Sequence, residues 1–159
     1  MSARPAAEVS ITPALPADAD AVLAVQRAAF AIEARHYDDP ELPPLVETID
    51  QVAATIAAGE VLVARLDGQV VGSVRRVLTG DEVEIGRLSV LPAHQGRGVG
   101  GRLLAAAEDI PGASTALLFT GHLSVDNLGL YHRRGYREFA RRQVSERVEL
   151  VYLRKSLPQ

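Results

Sequence analysis

Cysteine and tryptophan are absent from the 159 residues, methionine occurs once, and the other aromatics are four tyrosines and three phenylalanines. Without cysteine there is no disulfide, no thiolate metal site and no cysteine nucleophile. The few aromatic rings do not interleave with a basic stripe, which argues against single-strand nucleic-acid binding. The net charge of −3 points the same way. The four histidines, at 36, 94, 122 and 132, form no His-x-x-x-His pair. Only His36 with Asp38 and Asp39 brings metal-ligating types close together in sequence, so no metal is expected. No Gly-x-Ser-x-Gly elbow is present, which removes the commonest serine hydrolase layout. Apolar runs such as Leu103 to Ala107 reach five residues and no more, far short of the roughly 20 that span a bilayer. Residues 1–16 lack the apolar stretch of a secretory leader. The expectation is a soluble, cytoplasmic protein with neither nucleic acid nor membrane as partner.

What is present is an ordinary globular composition, 47% apolar and 23% charged, at a length that suits one domain over residues 1–159. Residues 1–80 carry 6 basic and 11 acidic groups, whereas residues 81–159 carry 11 and 9. The first half suits a cation and the second an anion.

Val9 to Thr12 reads as a short strand. Pro16-Ala-Asp-Ala-Asp opens a helix with early acids, and Val22, Val25, Ala29 and Ile32 recur at helical spacing. Prolines at 40, 43 and 44 make residues 35–44 a loop. A second helix follows over 45–58, stopped by Gly59. Strands are expected over 60–66 and 69–78 around an Asp67-Gly68 turn, and over 83–91. A helix follows over 98–109, then an apolar strand, 115–123, read as buried on both faces. Asp126 is the expected N-cap of a helix ending near Arg134, with Gly135 behind it. Residues 136–143 and 147–153 form a final hairpin. The order β-α-α-β-β-β-α-β-α-β-β describes an α/β fold, one mixed sheet with helices on both faces.

The most informative segment is Leu88-Ser-Val-Leu-Pro-Ala-His-Gln-Gly-Arg-Gly-Val-Gly-Gly-Arg, where a strand ends, a glycine loop follows and a helix begins. Glycines let a backbone approach a ligand closely, and the free N–H groups and dipole of a helix start favour an anion. Arg97 adds a charge suited to phosphate oxygens. Gly96-x-Gly98-x-x-Gly101 formally matches a dinucleotide fingerprint. That motif calls for an acid about 20 residues on, and positions 118–121 are Leu, Phe, Thr and Gly. NAD therefore remains an alternative ligand, and a P-loop fails for want of Gly-Lys-Ser/Thr.

The spacing Gln95-x-x-Gly98-x-Gly100 fits better. Leu88 to Gly101 resembles the acetyl-CoA-binding motif of the GNAT superfamily of N-acetyltransferases. A second segment, Asp126-Asn-Leu-Gly-Leu-Tyr-His-Arg-Arg-Gly-Tyr, is similar to that family's Asn-x-x-x-x-Tyr-x-x-x-Gly-Tyr/Phe signature. Asn127 and Tyr131, four apart, share a helical face.

The resemblance implies direct transfer of acetyl from the thioester of acetyl-CoA, a cosubstrate, to a primary amine in a ternary complex. It places the cofactor on Leu88, Ser89, Val90, Gln95, Gly96, Arg97, Gly98, Val99, Gly100 and Gly101, and on Asn127, Tyr131 and Arg134. Within it, the Val90 N–H polarises the thioester carbonyl, Tyr131 is the general acid, and Glu84, eleven residues before Gln95, is the base. Strand alternation then sets Glu84 on one face with Gly86, Leu88 and Val90, provided no bulge intervenes. The acceptor, a small-molecule or peptide amine, is expected at His36, Tyr37 and Asp38 together with Glu84, Asp39 and Glu41 adding negative charge. Dimers are common in the family, and the strand near 147–153 would offer an edge for a homodimer. The alternative class is a non-catalytic acyl-CoA-binding regulatory module.

Overall fold

The computed structural model describes residues 8–158. Residues 1–7, on which the expectation of no secretory leader partly rests, and residue 159 lie outside the described residues. Among the described residues seven strands form one sheet in the order β1-β2-β3-β4-β5-β7-β6: β1 (Ser10–Pro13), β2 (Val61–Leu66), β3 (Gln69–Thr79), β4 (Glu82–Val90), β5 (Thr115–Gly121), β6 (Arg137–Gln143) and β7 (Glu149–Ser156). The helices are α1 (Ala19–Tyr37), α2 (Pro43–Val46), α3 (Ile49–Ala57), α4 (Val99–Glu108) and α5 (Val125–Arg133). The element order is the expected one except that three helices, not two, stand between β1 and β2. Among the described residues no helix is long and apolar enough to cross a membrane.

Apolar alternation sorts the helices onto two faces. On one, Val22 and Leu23 of α1 and Val52 and Ile56 of α3 pack on Val61 and Val63 of β2. On the other, Val99, Leu103 and Leu104 of α4 pack on Leu62, Val74, Val83 and Ile85. Asp67 and Gly68 both take positive φ, 50° and 81°, as the two-residue hairpin turn between β2 and β3 requires.

Four local expectations are corrected. The helix expected over 45–58 breaks at Glu47-Thr48, because Thr48 caps a new helix: its Oγ1 accepts from the Gln51 N–H while Gln51 bonds back to the Thr48 N–H. The loop expected from residue 35 begins later, since α1 runs to Tyr37 and ends on Asp38 in the left-handed region. Ser124, not Asp126, occupies the N-cap of α5. The strand at 147–153 is no edge: β7 pairs β5 on one side and β6 on the other.

The β5 strand is also not buried on both faces. Ala116, Leu118 and Thr120 are buried, but Phe119 is 52% exposed. Its pairing with β4 explains this. The two run parallel through only three residue pairs, Glu82 to Glu84 against Thr115 to Leu117, and then separate. Beyond that point β4 keeps β3 as its partner and β5 keeps β7. A wedge opens in the middle of the sheet, and one edge of each strand looks into it.

Packing beside the wedge is tight at Gly72. A Cβ there would lie 2.9 Å from Leu103 Cδ1 and 3.0 Å from the Ser89 carbonyl oxygen. Gly72→Ala is expected to destabilise the fold by about 1–3 kcal/mol through overpacking, read as a lowered Tm in thermal unfolding.

Candidate active site

A cleft of about 880 Å³ fills the wedge, with walls from α1, β4, β5, α5 and β7. The cleft and the glycine turn beyond β4 make up three parts, each built differently.

The first lies at the start of α4. Gly98 is the N-cap at φ 81°, and Gly96 is at φ 78°. Such values strain any side chain with a Cβ. Among the described residues none of the amides from Gly96 to Gly101 donates to another backbone group; the first helical bond is Arg102 N–H to the Gly98 carbonyl. Six consecutive donors at a helix N-terminus form an anion cradle. Arg97 is exposed beside it, whereas the Val99 side chain is buried in the core. The Arg134 guanidinium occupies the space over Gly101 where a Cβ would stand, so it joins the cradle from α5. Gln95 points back: its Nε2 donates to the Val90 carbonyl at 3.1 Å and braces the loop.

The second part is β4. Ser73 pairs with Ser89 and Arg75 with Gly86, so β4 spends one more residue than β3 over this stretch. This is a bulge, with Arg87 at φ 53°. It overturns the expected alternation. Leu88 and Val90 join Val83 and Ile85 on the α4-side core, while Glu84 faces the opposite way. Glu84 nevertheless reaches the cleft, exposed and without an ion pair among the described residues. Leu91 N–H donates to the Val71 carbonyl across β3, so by strand alternation the N–H of Val90 points away from β3, into the wedge. Leu88 lines the cleft, whereas Ser89 is buried with its Oγ on the Arg87 carbonyl at 3.0 Å.

The third part ties α1 to α5 across the wedge. Tyr37 is buried, its hydroxyl 2.7 Å from Ser124 Oγ and accepting the Leu123 N–H at 2.9 Å. Ser124 Oγ donates to Glu33 Oε2 at 2.5 Å. Burial raises the Tyr37 phenol, with the Ser124 bond pulling the other way. Tyr131 and Asn127 line the same cleft, as their spacing predicts. The Tyr131 ring is 5.9 Å from Tyr136 and 5% exposed. Burial, aided by the Glu33 charge, pushes its phenol well above the ordinary value, so it stays protonated through the neutral range.

The acidic loop divides. Asp39 lines the cleft, but His36 does not, and Asp38 faces solvent, where Arg147 pairs with it at 3.5 Å. No group of three metal-ligating side chains occurs among the described residues. Sequence reading missed Glu33 and Ser124. Phe30, Glu33 and Tyr37 are three and four apart on one face of α1, a signal hidden by ending that helix too early.

It also missed Glu47, in the break between α2 and α3. Its Oε1 accepts from Gln26 Nε2 at 3.0 Å and Arg75 at 2.7 Å, and its Oε2 from Arg75 at 3.2 Å. Arg87 approaches Oε2 at 3.6 Å. Burial alone would raise this carboxyl, but the bonds from Arg75 and Gln26 and both guanidinium charges outweigh it and hold it below its usual 4.5. Stability from Glu47 is therefore full above pH 4.5 and is lost as pH falls through the lower folded value. Glu47→Gln is expected to cost roughly 3 kcal/mol at pH 7, since it strands two guanidinium ions. Thermal unfolding should show wild type and variant converging as the pH drops below 4.5.

The family model of an acetyltransferase (GNAT) domain matches residues 57–138, more than half of the chain, and the chain belongs to that family of acetyltransferases. No curated protein matches the sequence. Among solved structures, the PaiA N-acetyltransferase of Thermoplasma acidophilum in complex with coenzyme A aligns at TM-score 0.76 and 16% identity, over 94% of this chain and 99% of its own. YncA of Salmonella typhimurium, with its cofactor acetyl-CoA, aligns at 0.76 and 21% identity over 96% and 95%. The ribosomal-protein-S18-alanine N-acetyltransferase of Escherichia coli aligns at 0.78 and 17% over 96% of each chain. At these identities the likeness is one of fold.

Proposed function

We propose that residues 1–159 act as one domain that moves an acetyl group from acetyl-CoA directly to a primary amine while both are bound. The observation that supports this most is the run of unbonded amides from Gly96 to Gly101 in the turn that follows the diverging end of β4. The amides, the α4 N-terminus, Arg97 and Arg134 would hold the pyrophosphate. The wedge suits a pantetheine arm that bonds to main chain as an added strand does, with Asn127 on its α5 side. The PaiA and YncA structures, which hold coenzyme A and acetyl-CoA, share this fold.

Acetyl-CoA supplies the activated acyl group, and the chain's own residues position it and manage protons. The Val90 N–H, aimed into the wedge, would polarise the thioester carbonyl, a donor worth about 3 kcal/mol. The Tyr131 hydroxyl, kept protonated by burial, would give its proton to the departing sulfur. Glu84, unpaired at the cleft, would take the ammonium proton directly or through water. Glu33, bonded to Ser124 beside Tyr131, is a second carboxylate able to attract the amine. Tyr37 shapes the acceptor end, with Asp39 adding charge.

Release of free CoA thiol with a panel of amines tests the reaction. Tyr131→Phe is expected to lower kcat about 100-fold or more with CoA affinity, measured by calorimetry, nearly unchanged. A variant that binds CoA and keeps its full rate removes Tyr131 from the chemistry. Wild-type protein that binds CoA and turns over no amine favours the regulatory-module reading. Gly98→Val, which forces a branched residue to φ 81°, is expected to weaken CoA binding at least 10-fold, since a positive φ strains any β-branched residue and displaces the cradle.

A further inference from the structure

On the side of the cleft away from α4, two guanidinium groups, Arg75 and Arg87, share one paired carboxylate, Glu47. Arg75 takes both Glu47 oxygens in a two-pronged pair. Arg87 is left with a single contact to Oε2 at 3.6 Å, too long for a hydrogen bond. Its buried Nε has no partner, and among the described residues its guanidinium makes no hydrogen bond with the protein. A guanidinium carries five N–H donors in a planar fork.

The chain commits backbone strain to this arrangement. Among the described residues, Arg87 is one of three non-glycine residues with positive φ, and the one within a strand. Such strain is costly and clusters where a side chain is aimed for function. The side chain is three-quarters covered yet lines the cleft, in company with Arg75. Burying a cation with half of one counter-ion is costly unless another anion arrives. The pyrophosphate is not that anion, because Arg87 reaches Glu47 on the α1 face of the sheet and the glycine cradle belongs to α4. The same cleft presents Glu33, Asp39 and Glu84, which suit an ammonium. Val144, Leu150 and Tyr152 supply an apolar wall.

Building on the acetyl-transfer reading, we infer that the acceptor is an amino acid in the chemical sense, an amine that also bears a carboxylate, and that Arg87 takes the carboxylate in its fork. Arg87 is then the specificity-determining residue, and the bulge on β4 is the device that turns it into the cleft.

Matched pairs decide the matter. L-Leucine, L-phenylalanine, β-alanine and 6-aminohexanoate are each compared with their amides as acetyl acceptors, by thiol release. A charged hydrogen-bonded pair of this kind is expected to favour at least one acid over its amide by about 10- to 100-fold in kcat/KM, mainly through KM. Arg87→Gln is expected to collapse that ratio towards one, and Arg87→Lys to keep part of it, which a merely structural role would not do. A wild-type ratio near one in every pair, or a ratio that survives Arg87→Gln, overturns the inference. Calorimetry of the CoA-loaded protein with the N-acetylated acids and amides reads binding apart from turnover. Arg87-dependent binding of the acids without acetylation of any amine would sink the acetyl-transfer reading and leave Arg87 as a carboxylate site. Acetylation of acids and amides alike would do the reverse, and absence of binding by either form overturns the carboxylate site.

Discussion

Three residue pairs, Glu82 to Glu84 against Thr115 to Leu117, are all that join β4 to β5. Two parallel strands that begin paired and then part leave main-chain groups facing each other with nothing between them, and a folded chain rarely tolerates unmet N–H and C=O groups. The rest of the molecule is arranged around that opening. Each strand is held on its far side, by β3 and by β7, so neither collapses inwards. The bulge at Arg87 adds twist where β4 turns away. The Tyr37, Ser124 and Glu33 bonds bind α1 to the start of α5 across the gap. Gly121 makes that bridge feasible, because a Cβ there would collide with the Tyr37 hydroxyl.

Electrostatics follow the same geometry. The anion cradle sits at one end of the wedge, where main-chain dipoles supply the positive field and need no buried counter-ion. At the α1 side charge is carried by side chains, and both signs occur there: Glu33 takes the neutral Ser124 hydroxyl, Glu47 lies between two arginines, and Glu84 lines the cleft exposed. The excess of acid in the first half of the sequence is thus no uniform field. Of those acids, Glu47 is consumed in holding Arg75 and Arg87, Asp18 pairs with Arg65 and Asp38 with Arg147, whereas Glu33 and Asp39 line the cleft.

Much of this was legible from residue order. The glycine run gave the strand, loop and helix around Gly98, and Asn127 with Tyr131 gave one face of α5. Both depend on local backbone rules that read directly from spacing. What was hidden depends on long-range partners. Nothing near Glu47 in sequence announces Arg75 and Arg87, which lie 28 and 40 residues on. The misplaced end of α1 followed from counting Pro40 as a breaker too far back; the helix stops only where Asp38 turns left-handed. The parity of Glu84 failed for want of the bulge. Gly86-Arg87 was its one local sign, since a lone glycine within a strand pattern often marks such a kink.

The dinucleotide alternative shows why the opening, rather than the glycine spacing, carries the functional meaning. A dinucleotide fold keeps the next parallel strand in register and uses an acid at its end to grip the ribose. Here the next strand leaves after three pairs, and at its end stands Gly121 packed under Tyr37. No carboxylate occupies the ribose position, and none of residues 118–121 is able to provide one. A ligand whose phosphates rest on Gly96 to Gly101 is therefore led down between β4 and β5, where the bonding groups are those of a strand. On the proposed reading, that path suits a phosphate-bearing molecule with a long, thin, amide-containing arm better than one built of two rigid nucleosides.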